Sequence, residues 1–219
     1  MRKRIGFIGC YSHDVILMLA RALGCMGKQV LLRDCNELHT LSVSVPIPEG
    51  MCASKTVLEY DGFLFTGQGI DEELKEEVEF ELIDLGMENL REETAYCSEL
   101  IVTTDMLPHH IRRLRKIMMP TEKVIACVIR DSSEIVCKGE AEVREFLRLF
   151  PKRREFFLPP DYRDVRNRYL CETSHEYNIN KASPEMQEMI CRMVEMFCLD
   201  CTDKEIRRNV RRRERRHYR

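Results

Sequence analysis

The stretch from Arg4 to Asn36, RIGFIGCYSHDVILMLARALGCMGKQVLLRDCN, constrains what this chain can fold into more than any other. An apolar run, Ile5 to Ile8, stops at Gly9. Val15, Ile16, Leu19, Ala20 and Leu23 then recur at helical spacing, Gly24 and Gly27 supply the stop, and a second apolar run, Val30 to Leu32, closes at Asp34. Strand, turn, helix and strand in that order predict a βαβ unit opening a nucleotide-binding sheet. Ser12 or Asp14 is expected to cap the helix, each offering a side-chain oxygen to first-turn amides.

The rest of the chain repeats the alternation. Cys35 to Lys55 lacks periodicity and carries Pro46 and Pro48, so it reads mostly as loop. LEYDGFLFTGQG reads as a strand ending at Gly67, and VEFELIDLGM as another ending near Asp84. A short helix is expected in ENLREETAYC, a strand in ELIVTTD, a helix in PHHIRRLRKIM opened by Pro108, and a buried strand in EKVIACVIRD. A helix around Ala141 to Phe150 and a short strand REFFLP follow. Ser183 and Pro184 then open an amphipathic helix whose core face is Met186, Met189, Ile190, Met193, Val194 and Phe197. The expected fold is therefore α/β: a doubly wound, mostly parallel sheet with helices on both faces over residues 1–202, followed by a basic tail over 203–219.

With 219 residues the chain is long enough to bury a substantial core as one domain. Its 11 cysteines are odd in number and scattered, often inside apolar runs, which reads as buried free thiols in a reducing compartment. No segment approaches the roughly 20 apolar residues of a membrane span. The reading is a cytoplasmic protein, with membrane association through a partner as the further expectation. A formal net charge of −2 conceals an acidic stretch from Asp71 to Glu99 and an almost wholly basic end, IRRNVRRRERRHYR.

These residues carry a resemblance. RIGFIG, the helix ending in ARALGCMGKQVLLRDCN, the strand FELIDLGMENL, ELIVTTDMLPHHIRRLRKIM and the late segment REFFLPPDYRDVRNRYLCE resemble, in that order, the ParA/MinD family of deviant P-loop ATPases. The DLG ending of the second motif is similar to members called TadZ or CpaE, associated with pilus assembly and polar localisation. The resemblance implies that Asp34 lies near attacking water or magnesium and that Asp84 holds magnesium through water at the Walker B position.

The phosphate loop departs from that pattern. An active loop needs glycines for close backbone approach, a Lys for the β and γ oxygens and a Ser or Thr on magnesium. GCYSHDVIL offers one glycine, no lysine, and Asp14 where an anion would be repelled, and it is about three residues shorter than the family's loop. The resemblance thus implies a catalytically degenerate scaffold with no catalytic residues and ATPase activity lost. Gly9, Cys10, Tyr11, Ser12, His13, Asp34 and Asp84 would be a vestigial nucleotide site. No cofactor or metal is expected, and weak ATP–magnesium binding at the helix N-terminus is left open. Partners would be a protein, a second copy in a homodimer, or an anionic membrane or nucleic acid reached through the tail.

Other readings stay beside this one. GFIG with Asp34 downstream also resembles the opening of NAD-dependent hydroxyacid dehydrogenases, although Tyr11 stands where the next glycine is needed. Cys198 and Cys201 form a C-x-x-C with Cys191 upstream; no second ligand pair lies nearby, so His109 and His110 or His175 would have to complete a zinc site by folding, and thiols on the core face and at the end of a terminal helix are the preferred account. His13 reads as a polar loop residue without catalytic duty. The tail arginines Arg207, Arg208, Arg211, Arg212, Arg213, Arg215 and Arg216 read as a solvated or partner-bound arm, charged all round if helical.

Overall fold

The computed structural model describes residues 2–52, 56–67, 78–88, 91–117, 119–151 and 153–217. The opening unit is β1 (Lys3–Gly9), α1 (His13–Cys25) and β2 (Val30–Asp34). After a short α2 (Thr40–Ser44) come β3 (Leu58–Tyr60), β4 (Phe63–Thr66) and β5 (Phe80–Gly86). The second half runs α3 (Arg91–Tyr96), β6 (Glu99–Thr104), α4 (Pro108–Lys116), β7 (Val124–Arg130), α5 (Glu134–Gly139), α6 (Ala141–Arg148) and β8 (Arg154–Leu158). Three helices close the chain: α7 (Tyr162–Ser174), α8 (Pro184–Phe197) and α9 (Asp203–His217).

The strands form one sheet in the order β3-β4-β2-β5-β1-β6-β7-β8, parallel except for the β3–β4 pair. Apolar side chains of α1, α8 and α9 bury one face, and those of α4 and α6 bury the other. The doubly wound architecture is as expected. β1 lies between β5 and β6, so the chain winds outward in both directions from it. The crevice beyond the carboxyl ends of β1, β5 and β6 is therefore the switch point where ligands of such sheets sit.

Three local expectations are corrected. LEYDGFLFTGQG is a hairpin rather than one strand, turned at Asp61 and Gly62, both with positive φ (50 and 80). That is the geometry of a two-residue turn on Asp-Gly. The loop expected from Cys35 to Lys55 contains α2, and the Pro-Asp segment after β8 continues into α7, where Asp161 caps by accepting from Arg163 N at 2.8 Å. Of the acidic stretch, residues 71–77 and 89–90 lie outside the described residues.

The basic end is corrected too. Residues 203–217 form a helix seated on α1, with Ile206 and Val210, four apart, fully buried. Thr202 and Glu205 make a capping box: Thr202 N donates to Glu205 Oε2 at 3.1 Å and Glu205 N to Thr202 Oγ1 at 3.4 Å. Arg207 bonds Asp203 at 2.9 Å, Arg213 donates to Asp61 O at 2.7 Å, and Glu214 lies 3.3 Å from Arg21. Arg208, Arg211 and Arg212 are exposed, while the side chains of Arg215 and Arg216 lie outside the described residues. Val210→Asp places a carboxylate under this helix and is expected to cost about 2 kcal/mol or more. Limited trypsin digestion should then cut at 207–213 far faster than in the wild type; equal rates would mean that the helix is not held by these contacts.

Candidate functional site

Gly9 must be glycine because the chain leaves β1 at φ 135, where a Cβ would stand 1.7 Å from the Thr103 carbonyl oxygen of β6. Tyr11 follows in the left-handed region (φ 56), and α1 begins at His13. The turn is held by side chains. Arg168 of α7 stacks 4.6 Å over the Tyr11 ring, His110 meets the ring edge-on at 6.3 Å, and His13 Nε2 is 3.1 Å from Glu172 Oε1. Gly9, Cys10, Tyr11, Ser12 and His13 all line one cavity of about 360 Å³, with Thr40, Glu88, His109 and His110 on its other walls.

The expected cap of α1 is replaced by something else. Ser12 occupies the cap position in helical conformation, but its hydroxyl donates to Asp84 Oδ1 at 2.9 Å. Asp14, fully buried, accepts from Val15 N at 2.8 Å and from both nitrogens of Arg130 at 2.6 and 2.8 Å. Arg130, at the end of β7, also donates to Tyr11 O at 2.7 Å. Burial alone would raise the Asp14 carboxyl, but the charge and paired hydrogen bonds of Arg130 hold it below the usual carboxylate range. A carboxylate thus sits where the N-terminus of α1 favours an anion, with a guanidinium closing over it.

Asp34 and Asp84 face each other in register on β2 and β5. Asp84 accepts four donors: Ser12 Oγ and Gly86 N on one oxygen, Thr40 Oγ1 (2.9 Å) and Asn36 Nδ2 (3.3 Å) on the other. Those bonds occupy the four lone-pair sites of a carboxylate. Asp34 accepts Ser42 N and Ser42 Oγ, both at 2.7 Å, and burial pushes its carboxyl up against these donors.

The structure also brings in Asp105, which the sequence reading left out, and sets His110 beside Cys10 rather than beside the C-x-x-C cysteines. Asp105, just after β6, and His110 of α4 lie beside Cys10: His110 Nδ1 is 2.8 Å from Asp105 Oδ1 and 3.8 Å from Cys10 Sγ. Burial, and then the Asp105 charge, push the Cys10 thiol up to about 11, so it is a neutral thiol at pH 7. Of the C-x-x-C group, Cys191 and Cys198 are buried thiols and Cys201 is half-buried, with no disulfide among them.

No protein-family model and no curated protein matches this chain. Solved structures do. MinD in the MinC:MinD cell division complex of Aquifex aeolicus is similar at a TM-score of 0.61 and 14% identity, over 88% of this chain and 96% of that one. A putative plasmid partition protein of Borrelia burgdorferi bound to AMPPNP gives 0.60 and 11% over 92% and 100%, and a ParA family ATPase of Chlorobium tepidum gives 0.58 and 12% over 87% and 97%. At such identities the likeness is one of architecture, and this chain carries the ParA/MinD-type P-loop ATPase fold.

Proposed function

We propose that this protein is a catalytically degenerate ParA/MinD-like scaffold or localisation protein, acting through protein contacts at a membrane-associated pilus or secretion machine. The carrying observation is the Asp14 carboxylate at the start of α1 under Arg130. A bound phosphate would need first-turn amides and a cation, and here the chain's own anion engages both. Asp84, with four protein donors, has no lone pair left for magnesium's water shell. Loss of one transition-state cation alone removes about a thousandfold or more in rate.

The TadZ/CpaE-like ending Asp84-Leu85-Gly86 is what points to a pilus or secretion machine. The MinD neighbour was determined with MinC; this chain is read as docking a protein partner as well. The exposed Arg208, Arg211 and Arg212 of α9 offer a basic face to an acidic partner. Without a nucleotide switch, any dimer would be constitutive or replaced by a heteromeric contact.

A thermal-shift titration with ATP–magnesium, ADP, NADH and NADPH tests the reading, because whatever binds only the folded state raises Tm by mass action. No shift with any of them is the expected result. A clear shift with ATP–magnesium would restore a nucleotide switch, and one with a dinucleotide alone would favour the dehydrogenase-like reading. A monomer by light scattering at every concentration, with no co-purifying protein, would overturn the scaffold.

A further inference from the structure

The geometry points to a zinc-class divalent metal site at Cys10, Asp105 and His110, with its fourth coordination position open to the cavity beside it. These residues contribute one ligand atom each, all within 4.8 Å of one another, and among the described residues they are the group of Cys, His, Asp or Glu that meets this condition. The site goes beyond the scaffold reading and does not depend on it.

The trio could instead be a catalytic relay, and its geometry argues against that. A relay needs the carboxylate on one imidazole nitrogen and the nucleophile on the other. Here Asp105 Oδ1 (2.8 Å) and Cys10 Sγ (3.8 Å) both face Nδ1 of His110. Donors converging on one point suit a cation placed among them.

The fit is close. Tetrahedral zinc, with bonds of about 2.0 Å to nitrogen and oxygen and 2.3 Å to sulfur, sets N···S near 3.6 Å and N···O near 3.3 Å. The first separation is already met to within a few tenths of an ångström, and the second needs a small opening as the metal replaces the hydrogen bond. Cys10 and Asp105 stand at the ends of adjacent strands joined by Cys10 N donating to Thr103 O at 3.1 Å. Asp105 is further fixed by Leu107 N, which donates to the same Oδ1 at 2.9 Å and leaves that oxygen a second lone pair, the one now turned to His110, for the ion.

Chemistry chooses the class. One thiolate and one imidazole favour a borderline-soft ion such as zinc over magnesium or calcium, which prefer all-oxygen shells. On binding, the Cys10 thiol releases its proton to solvent and a Zn–S bond forms. Thiolate and carboxylate then neutralise the ion's two charges in a largely buried place. Three protein ligands and an open position, occupied by water, match zinc sites that engage an exogenous ligand.

The test uses the full chain titrated with zinc against a chromophoric chelator, and with cobalt(II) as the spectroscopic probe. The expected result is one tightly bound equivalent, with a thiolate-to-cobalt charge-transfer band and the d–d bands of a four-coordinate ion. C10S should remove the charge-transfer band. C10S and H110Q should each weaken zinc binding by about a hundredfold or more, since even outer-shell losses cost up to that much. The double variant C198S/C201S should leave both unchanged. X-ray absorption on the zinc-loaded wild type needs no variant: one sulfur with the remaining ligands nitrogen or oxygen supports the site. Two or more sulfurs, loss of binding only in C198S/C201S, or failure to compete with the chelator would overturn it.

Discussion

Arg130→Met is expected to destabilise the fold by about 3–5 kcal/mol at pH 7, the range for removing one partner of a buried ion pair. Both partners are almost fully shielded, with side-chain exposures of 3% for Arg130 and 0% for Asp14. Without Arg130, Asp14 keeps Val15 N as its main donor, which does not compensate a full charge in low dielectric. The pH dependence follows from sign. In the wild type the folded Asp14 carboxyl lies below its ordinary value, so the pair stabilises above the ordinary carboxylate range, near 3.9, and that stability is lost as pH falls through the folded value. In R130M burial, the largest influence, is opposed only by the weaker charges of His13 and Arg168 and by the Val15 amide, so the carboxyl rises, the variant regains stability as pH falls towards the raised value, and the gap to the wild type narrows. Urea unfolding at pH 7 and pH 5 measures this. The double variant D14N/R130M should recover most of the loss, because neither charge remains buried. A loss below about 1 kcal/mol, the scale of an exposed pair, would show that the site is solvated.

The strands were legible because each is an apolar run bounded by a turn residue, and α8 because Ser183, Pro184 and its apolar spacing all agree. The Ser183 hydroxyl does accept from Met186 N, at 3.0 Å. Other signals were present and outweighed. Asp61-Gly62 is a hairpin signal inside LEYDGFLF, and Thr202-x-x-Glu205 is a capping box, but the arginines after it hid the two apolar residues, Ile206 and Val210, that anchor α9. α7 buries only Asp164, Asn167 and Cys171, and helical periodicity cannot be read from a buried face that is largely polar. Gly9 to His13 were legible from the βαβ opening, whereas Asp34 and Asp84 came only with the family resemblance; all of them stand at the carboxyl ends of the neighbouring strands β1, β2 and β5. Arg130 was not, because its pairing with Asp14 joins residues 116 apart across the sheet. His110 meets Cys10 across a similar distance, 100 residues. An arginine closing the apolar strand VIACVIR was the available clue, since a buried cation requires a buried anion.

Glu81→Leu is expected to have an effect of similar size, towards the other end of the sheet. Glu81 on β5 accepts from Arg33 Nε on β2 at 2.7 Å, with both side chains fully buried. The same carboxylate lies 3.5 Å from Arg4 and 3.8 Å from Arg2, and takes a bond from Tyr96 OH at 3.3 Å. One acid thus balances three cations, and losing it costs far more than losing an outer one. Arg4, with a side-chain exposure of 39%, is screened by water, so Arg4→Met should cost no more than about 1 kcal/mol. E81L instead leaves Arg33 charged in the interior at about 3–5 kcal/mol, although leucine conserves much of the volume. The decisive measurement is a double-mutant cycle by urea unfolding. R33M/E81L should be markedly more stable than E81L alone, because an apolar pair of similar volume needs no hydrogen-bond partner. If R33M/E81L is no more stable than E81L, the loss comes from packing around β2 and β5, and the lost Arg33–Glu81 ion pair is not its cause.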